Sequence, residues 1–262
     1  MSDYRVDKIT NQSGTAGPQI AGITTFSSTS GMLMPSGDTR GRLVNDYDNI
    51  VTNGLVLNLD AGRAKSFGGD GTTWRDLSGN GNNGTLVGGV GFTADDGGSM
   101  VFNGTTSSIS IPNPLNQSNL TQIWTVSAWV NVTNKSTQTL VGGLSNGVHI
   151  NWFGNGTLLY LNGGGDDYYT YGSSITNTGW CLITFRFRNS DGSRTIYKNT
   201  TNISTSGPNN TSTPLAQSST FTIGSGVGFV EGNISQISIY NRYISDTEVS
   251  QNFNALRSRY SI

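Results

Sequence analysis

Between residues 232 and 260 the spacing of apolar residues changes from that of a strand to that of a helix, and this change most restricts what the chain can fold into. Ile237 and Ile239 alternate with Ser238 and Tyr240, the pattern of a half-buried antiparallel strand. Ser245-Asp246-Thr247-Glu248 then reads as a capping box: the Ser245 hydroxyl accepts from the Glu248 backbone N–H, and the Glu248 carboxylate reaches back to the N–H of Ser245. Ile244 and Val249 occupy the staple positions around it. Val249, Phe253 and Leu256 give the following short helix one apolar stripe, with Arg257 and Arg259 near the end of its dipole that favours cations. A strand feeding one terminal helix therefore closes the chain.

Upstream, short extended runs follow one another at 55–60, 72–76, 85–87, 100–103, 108–111, 125–133, 138–142, 148–153, 158–161, 168–171, 180–188, 194–198 and 221–224, nearly all separated by Gly, Asn, Asp and Ser clusters. Strands at this spacing predict an all-β, antiparallel two-sheet sandwich. In 125–133, Val126, Ala128, Val130 and Val132 share one face while Ser127, Trp129 and Asn131 share the other. One core is expected to run through residues 53–262, with no second boundary. The 36 glycines and a charged fraction of only 12% agree, because turn formers and β-branched residues disfavour long helices.

Residues 1–52 read differently. Val6, Ile9, Ile20, Ile23, Phe26, Met32, Leu33 and Met34 are scattered among Gly and Pro, too few to build a core. An extended N-terminal arm that orders against a neighbouring protein is expected, with a merely flexible tail as the other reading. The start Val6-Asp7-Lys8-Ile9 followed by Ser13-Gly14-Thr15 and Gly17-Pro18 resembles N-terminal segments of virion proteins from marine tailed phages.

Charge and composition exclude several functions. A net charge of -1 gives no electrostatic footprint for nucleic acid, and no apolar run is long enough to insert into a membrane. The opening residues do not read as a signal peptide, so assembly in a cytoplasm is expected, and the Asn-x-Ser/Thr triplets carry little meaning there. Cys181, the single cysteine, is in phase with Ile183, Phe185 and Phe187, which makes it a buried apolar filler.

Catalytic chemistry finds few residues to use. Glycoside hydrolysis needs two carboxyl groups about 5–9 Å apart. The only glutamates are Glu231 and Glu248, the second already committed to the capping box, and Asp166 and Asp167 are adjacent and so point to opposite faces of a strand. His149, the sole histidine, has no nucleophile motif beside it and reads as a surface residue of its strand. Zinc would need several His or Cys ligands. Calcium needs only oxygen and is the one cofactor left open. Asp76-Leu77-Ser78-Gly79-Asn80-Gly81-Asn82 resembles the start of a calcium loop but lacks the bidentate acid at its far end, so a turn held by Asp76 and Asn80 is the better reading. Asp95-Asp96 and Asp166-Asp167 read as solvated pairs. For glycan binding, which needs aromatic faces beside hydrogen-bonding groups, the densest candidates are Trp152, Tyr160, Asp166, Asp167, Tyr168, Tyr169 and Tyr171. Packing of these aromatics between strands or at a subunit contact is the alternative.

Gly232-Asn233-Ile234, Ile239-Tyr240-Asn241-Arg242 and Ile244-Ser245-Asp246, together with Leu59-Asp60-Ala61-Gly62, the run 73–85 and Met100-Val101-Phe102-Asn103-Gly104, resemble the ends and first strands of laminin-G-like, concanavalin A-like jellyroll domains. The resemblance covers about 53–260. It implies a jellyroll topology and a lectin-like display role. Relatives often carry aspartates after a Phe-Asp-Gly strand, where this chain has Asn103 and no following carboxylate, which removes support for a calcium-dependent site. The expectation is a non-enzymatic virion protein of a tailed bacteriophage, either a head decoration or a short tail fibre-like appendage. It would be a homo-oligomer on the virion surface, bound to other virion proteins through its arm and presenting a jellyroll to a host-surface glycan. A bacterial carbohydrate-binding or adhesion protein and a glycan depolymerase are the rival readings.

Overall fold

The computed structural model describes residues 49–112, 114–115, 123–133, 137–142, 149–153, 158–162, 168–170, 178–188, 190–191, 193–204 and 220–262. Residues 1–48 of the expected arm lie outside this set. Sixteen strands run in chain order among the described residues: β1 Leu55–Asp60, β2 Thr73–Trp74, β3 Gly84–Val87, β4 Gly91–Thr93, β5 Ser99–Asn103, β6 Ser108–Pro112, β7 Ile123–Val132, β8 Thr137–Gly142, β9 His149–Phe153, β10 Leu158–Asn162, β11 Tyr168–Thr170, β12 Cys181–Arg188, β13 Ser193–Lys198, β14 Thr201–Asn202, β15 Thr220–Ile223 and β16 Glu231–Tyr240. The helix α1, Asp246–Leu256, follows. The order is β14-β13-β12-β7-β16-β5-β4 in one sheet, with β1 also on β16, and β11-β10-β9-β8-β15-β6-β3-β2 in the other. All the pairings are antiparallel. The fold is the expected two-sheet sandwich with one short C-terminal helix.

The strand 231–240 is the hub of the first sheet. One edge pairs along β7, while the other is shared: β5 takes residues 231–234 and β1 takes 236–240. The handover falls on a bulge between Ile234 and Gln236. The extra residue, Ser235, is used there. Its carbonyl accepts from the Ala61 N–H at 2.9 Å, and its hydroxyl donates to the Gly98 carbonyl at 2.6 Å.

Alternation dictates the core. Val126, Ala128, Val130 and Val132 of β7, Cys181, Ile183, Phe185 and Phe187 of β12, and Ile237 and Ile239 of β16 all enter one buried cluster. From the other sheet Ile109, Ile111, Val141, Ile150, Trp152, Phe221 and Ile223 meet them. Burial pushes the Cys181 thiol up to about 11, as suits an apolar filler.

The outer face of the first sheet is also covered, which strand alternation alone does not predict. Trp129 and Leu182, cross-strand partners, are buried beneath Ala255, Leu256 and Tyr260. Tyr240 lies under Ile244, Val249 and Val51. The capping box forms as the sequence indicates, and both staple residues are fully buried. Asn252, inside the helix, is equally committed: its Oδ1 accepts from the Val51 N–H at 2.8 Å, and its Nδ2 donates to the Tyr240 hydroxyl at 3.0 Å. Arg186 crosses beneath the start of α1, lying 4.6 Å and 4.4 Å from the ring centroids of Tyr197 and Tyr243 and donating to Asp246 at 2.7 Å.

Two features differ from the sequence reading. The strands β4 and β14 are too short to show alternation and exist because β5 and β13 supply their ladders. The helix stops at Leu256, so Arg257 and Arg259 fall in a 3-10 turn, Arg257–Tyr260. There Arg259 faces the end of β1 instead of the helix dipole.

Candidate functional site

The tyrosine-rich segment forms the last strands of the second sheet, β10 and the terminal β11. Tyr160 pairs with Tyr168 and with Asn151, while Leu159 pairs with Tyr169 and with Trp152. Two three-residue rows therefore cross β9, β10 and β11. Trp152 itself belongs to the core and is 1% exposed. The side chains of Tyr160, Tyr168 and Tyr169, and all of Asp166, Asp167 and Tyr171, lie outside the described residues, as does the side chain of His149. Asn151 is a residue the sequence reading missed. It is fully buried, and among the described residues neither its Oδ1 nor its Nδ2 has a hydrogen-bond partner.

Four of the described carboxylates are held by arginines. Glu248 takes Arg242 in a two-point contact at 2.6 and 2.8 Å and also accepts from the Ser245 N–H at 2.7 Å. The Arg242 guanidinium, and then the cap N–H, hold its carboxyl down at about 2. Asp246 is lowered by Arg186, and Asp191 by Arg188. Asp60 is held by Arg259 at 2.7 and 2.8 Å. Carboxyls stabilised in their ionised form are poor proton donors to a glycosidic oxygen. Glu231 is exposed at the start of β16, its backbone N–H donating to Gln138.

The turn candidates for calcium are closed by hydrogen bonds. Asp76 accepts from the N–H groups of Asn58, Ser78 and Asn82 and from the Ser78 hydroxyl. Asn80 and Asn82 donate to the Val56 carbonyl. Asn103 closes the next turn, its Oδ1 accepting from the N–H groups of Thr105, Thr106 and Ser107. These residues do not fit a calcium ion, which would compete with donors already on every carboxylate oxygen of Asp76. Among the described residues, no three His, Cys, Asp or Glu side chains cluster in a way that would hold a metal.

A second aromatic site lies on the opposite sheet. Trp180 precedes β12, in phase with Leu182 and out of phase with Cys181, so strand parity already assigns it to the outer face. Its indole N–H donates to Asp96 Oδ2 at 2.8 Å, and its ring leans on Tyr260 at 4.7 Å between centroids. Tyr260 in turn stacks on Trp129, which stacks on Phe253. Asp96 adopts a left-handed conformation, φ 50°, between Asp95 and two glycines. Gly98 must be glycine: its φ is 104°, and a Cβ would lie 2.8 Å from the Ala61 carbonyl oxygen. The turn that aims Asp96 at Trp180 is therefore built by the backbone.

Comparison with known proteins gives a consistent result. No curated protein matches the sequence. Among solved structures, the binding domain of botulinum neurotoxin DC, solved in complex with rat synaptotagmin II, superposes with a TM-score of 0.61 at 16% identity over 79% of this chain and 52% of that one. A structure of botulinum neurotoxin type C, described as dependent for cell entry upon interaction with two ganglioside molecules, matches with a TM-score of 0.60 at 16% identity, over the same shares. The chain spans about half the length of these structures, and at this identity the likeness is one of fold. Residues 103–250, more than half of the chain, match the family model described as the concanavalin A-like lectin/glucanases superfamily. The chain therefore belongs to the concanavalin A-like lectin/glucanases superfamily.

Proposed function

We propose that the chain is a non-enzymatic, glycan-binding jellyroll displayed on the virion surface of a tailed bacteriophage, as a head decoration or a short fibre-like appendage. It is assembled in the host cytoplasm and attached to other virion proteins through its N-terminal arm. The observation that carries the binding reading is the row formed by Asn151, Tyr160 and Tyr168, which sets a buried amide, unpaired among the described residues, in register with two tyrosines at the end of a lectin-type sheet. Carbohydrate recognition uses this combination of amide and aromatic groups. The commitment of Glu248, Asp60, Asp191 and Asp246 to arginines favours binding over hydrolysis by a depolymerase. The likeness of the N-terminal segment to phage virion proteins favours the particle over a bacterial adhesin. In the particle the chain forms a homo-oligomer, which multiplies weak single-site contacts with a host polysaccharide.

The test is retention of the full chain on immobilised host cell-surface polysaccharide, beside Tyr168→Ala. Retention by the wild type and its loss in a variant with unchanged melting supports the reading. Failure of the wild type to be retained on any host glycan overturns it.

A further inference from the structure

We infer that Trp180 is a second sugar-stacking platform, on the face opposite the β9–β11 edge, and that it takes the C–H face of a pyranose ring. This rests on the reading of the chain as a glycan-binding module and adds a contact surface to it. All five tryptophans are among the described residues, and Trp74, Trp124, Trp129 and Trp152 are at most 2% exposed. Trp180 alone is half-buried at the surface. Its orientation is fixed by two unrelated elements, the Asp96 turn through the indole N–H and the C-terminal 3-10 turn through Tyr260. A ring held this way loses little freedom when a ligand stacks on it.

The neighbouring carboxylate suits a sugar. Asp96 is exposed and gives only one oxygen, Oδ2, to the indole, leaving Oδ1 to accept from a hydroxyl. The left-handed backbone of Asp96 is an uncommon state for a residue with a side chain, and here it serves to place that carboxylate against the ring.

Tryptophan emission reads this site directly, because the other four indoles are shielded. Titration of the full chain with oligosaccharides released from host cell-surface polysaccharide should shift the emission to the blue and reduce acrylamide quenching. The same titration of Trp180→Phe should show neither change. Trp180→Ala should weaken binding about tenfold, the loss of one stacking contact. Asp96→Gly, which suits the left-handed backbone and frees the ring without removing it, should weaken binding about threefold with melting unchanged, and covers the case in which Trp180→Ala does not fold. Retention of wild type on polysaccharide without any emission change, or equal binding by Asp96→Gly and wild type, overturns the platform and leaves the module's glycan binding intact. Absence of retention removes both.

Discussion

Arg259 and Asp60, 199 positions apart in the chain, meet in a two-point ion pair of 2.7 and 2.8 Å, with side chains only 3% and 5% exposed. The pair ties the last turn to the end of the first strand. Asp60 Oδ1 also accepts from the Gly62 N–H, so the carboxylate is bonded as well as paired. Removing one partner strands the other as a buried charge, whereas removing both does not. Arg259→Leu should therefore destabilise the protein by about 3–5 kcal/mol. The double variant Asp60→Leu with Arg259→Leu should recover part of that loss. Denaturant midpoints of the three proteins check this, and an additive double variant would mean that the pair is not coupled.

The helix cap gives a pH-dependent prediction. Glu248 ionises at about 2 in the folded chain, below its ordinary value, because Arg242 and the Ser245 N–H stabilise the carboxylate. A group lowered on folding contributes stability above its unfolded value and loses it as pH falls toward the folded one. Melting temperature should therefore decline between about pH 4.5 and pH 2. Glu248→Ala should melt lower at neutral pH and show a shallower acid decline. Ser245→Ala with Glu248→Ala should cost about 1–2 kcal/mol through the cap. Parallel acid profiles for wild type and Glu248→Ala would show that this carboxylate is not the titrating group.

Cys181 should be silent in the folded protein. Its thiol is buried and raised to about 11, so almost no thiolate forms at neutral pH. An aromatic disulfide reagent should label one thiol per chain only after denaturation. Rapid labelling of the native protein would mean that β12 opens locally.

Much of this organisation is legible in residue order because it depends on local chemistry. The capping box needs only Ser245 and Glu248 three residues apart, and the inward face of β7 needs only its valines two apart. What escaped depends on distant partners. Nothing near Asn252 announces that its amide will serve Val51 and Tyr240, and nothing near Arg259 announces Asp60. Trp180 was accessible to strand parity, yet its role depends on Asp96, 84 positions away. The proposed site at Trp152, Tyr160, Asp166, Asp167, Tyr168, Tyr169 and Tyr171 rests on aromatic density in the sequence. Density does not separate a core indole such as Trp152 from a surface one.

The start of the jellyroll can be placed by truncation. Asn49 accepts from Gln251 Nε2 at 2.7 Å, Val51 is buried against α1, and the Asn53 carbonyl accepts from Arg242. Deleting residues 2–41 should leave a soluble protein of nearly unchanged melting temperature that no longer joins particles. Extending the deletion through residue 53 should lower the melting point, since it removes these three anchors. Unfolding of the shorter deletion would place the arm within the sandwich core.

Mass spectrometry of purified tailed-phage virions, the particles in which the proposed function places this chain, tests the central claim most directly. The account predicts peptides of the 55–262 region in the intact particle fraction, released by limited proteolysis within the arm while the particle stays assembled. Virions purified to homogeneity that contain none of this chain would contradict it.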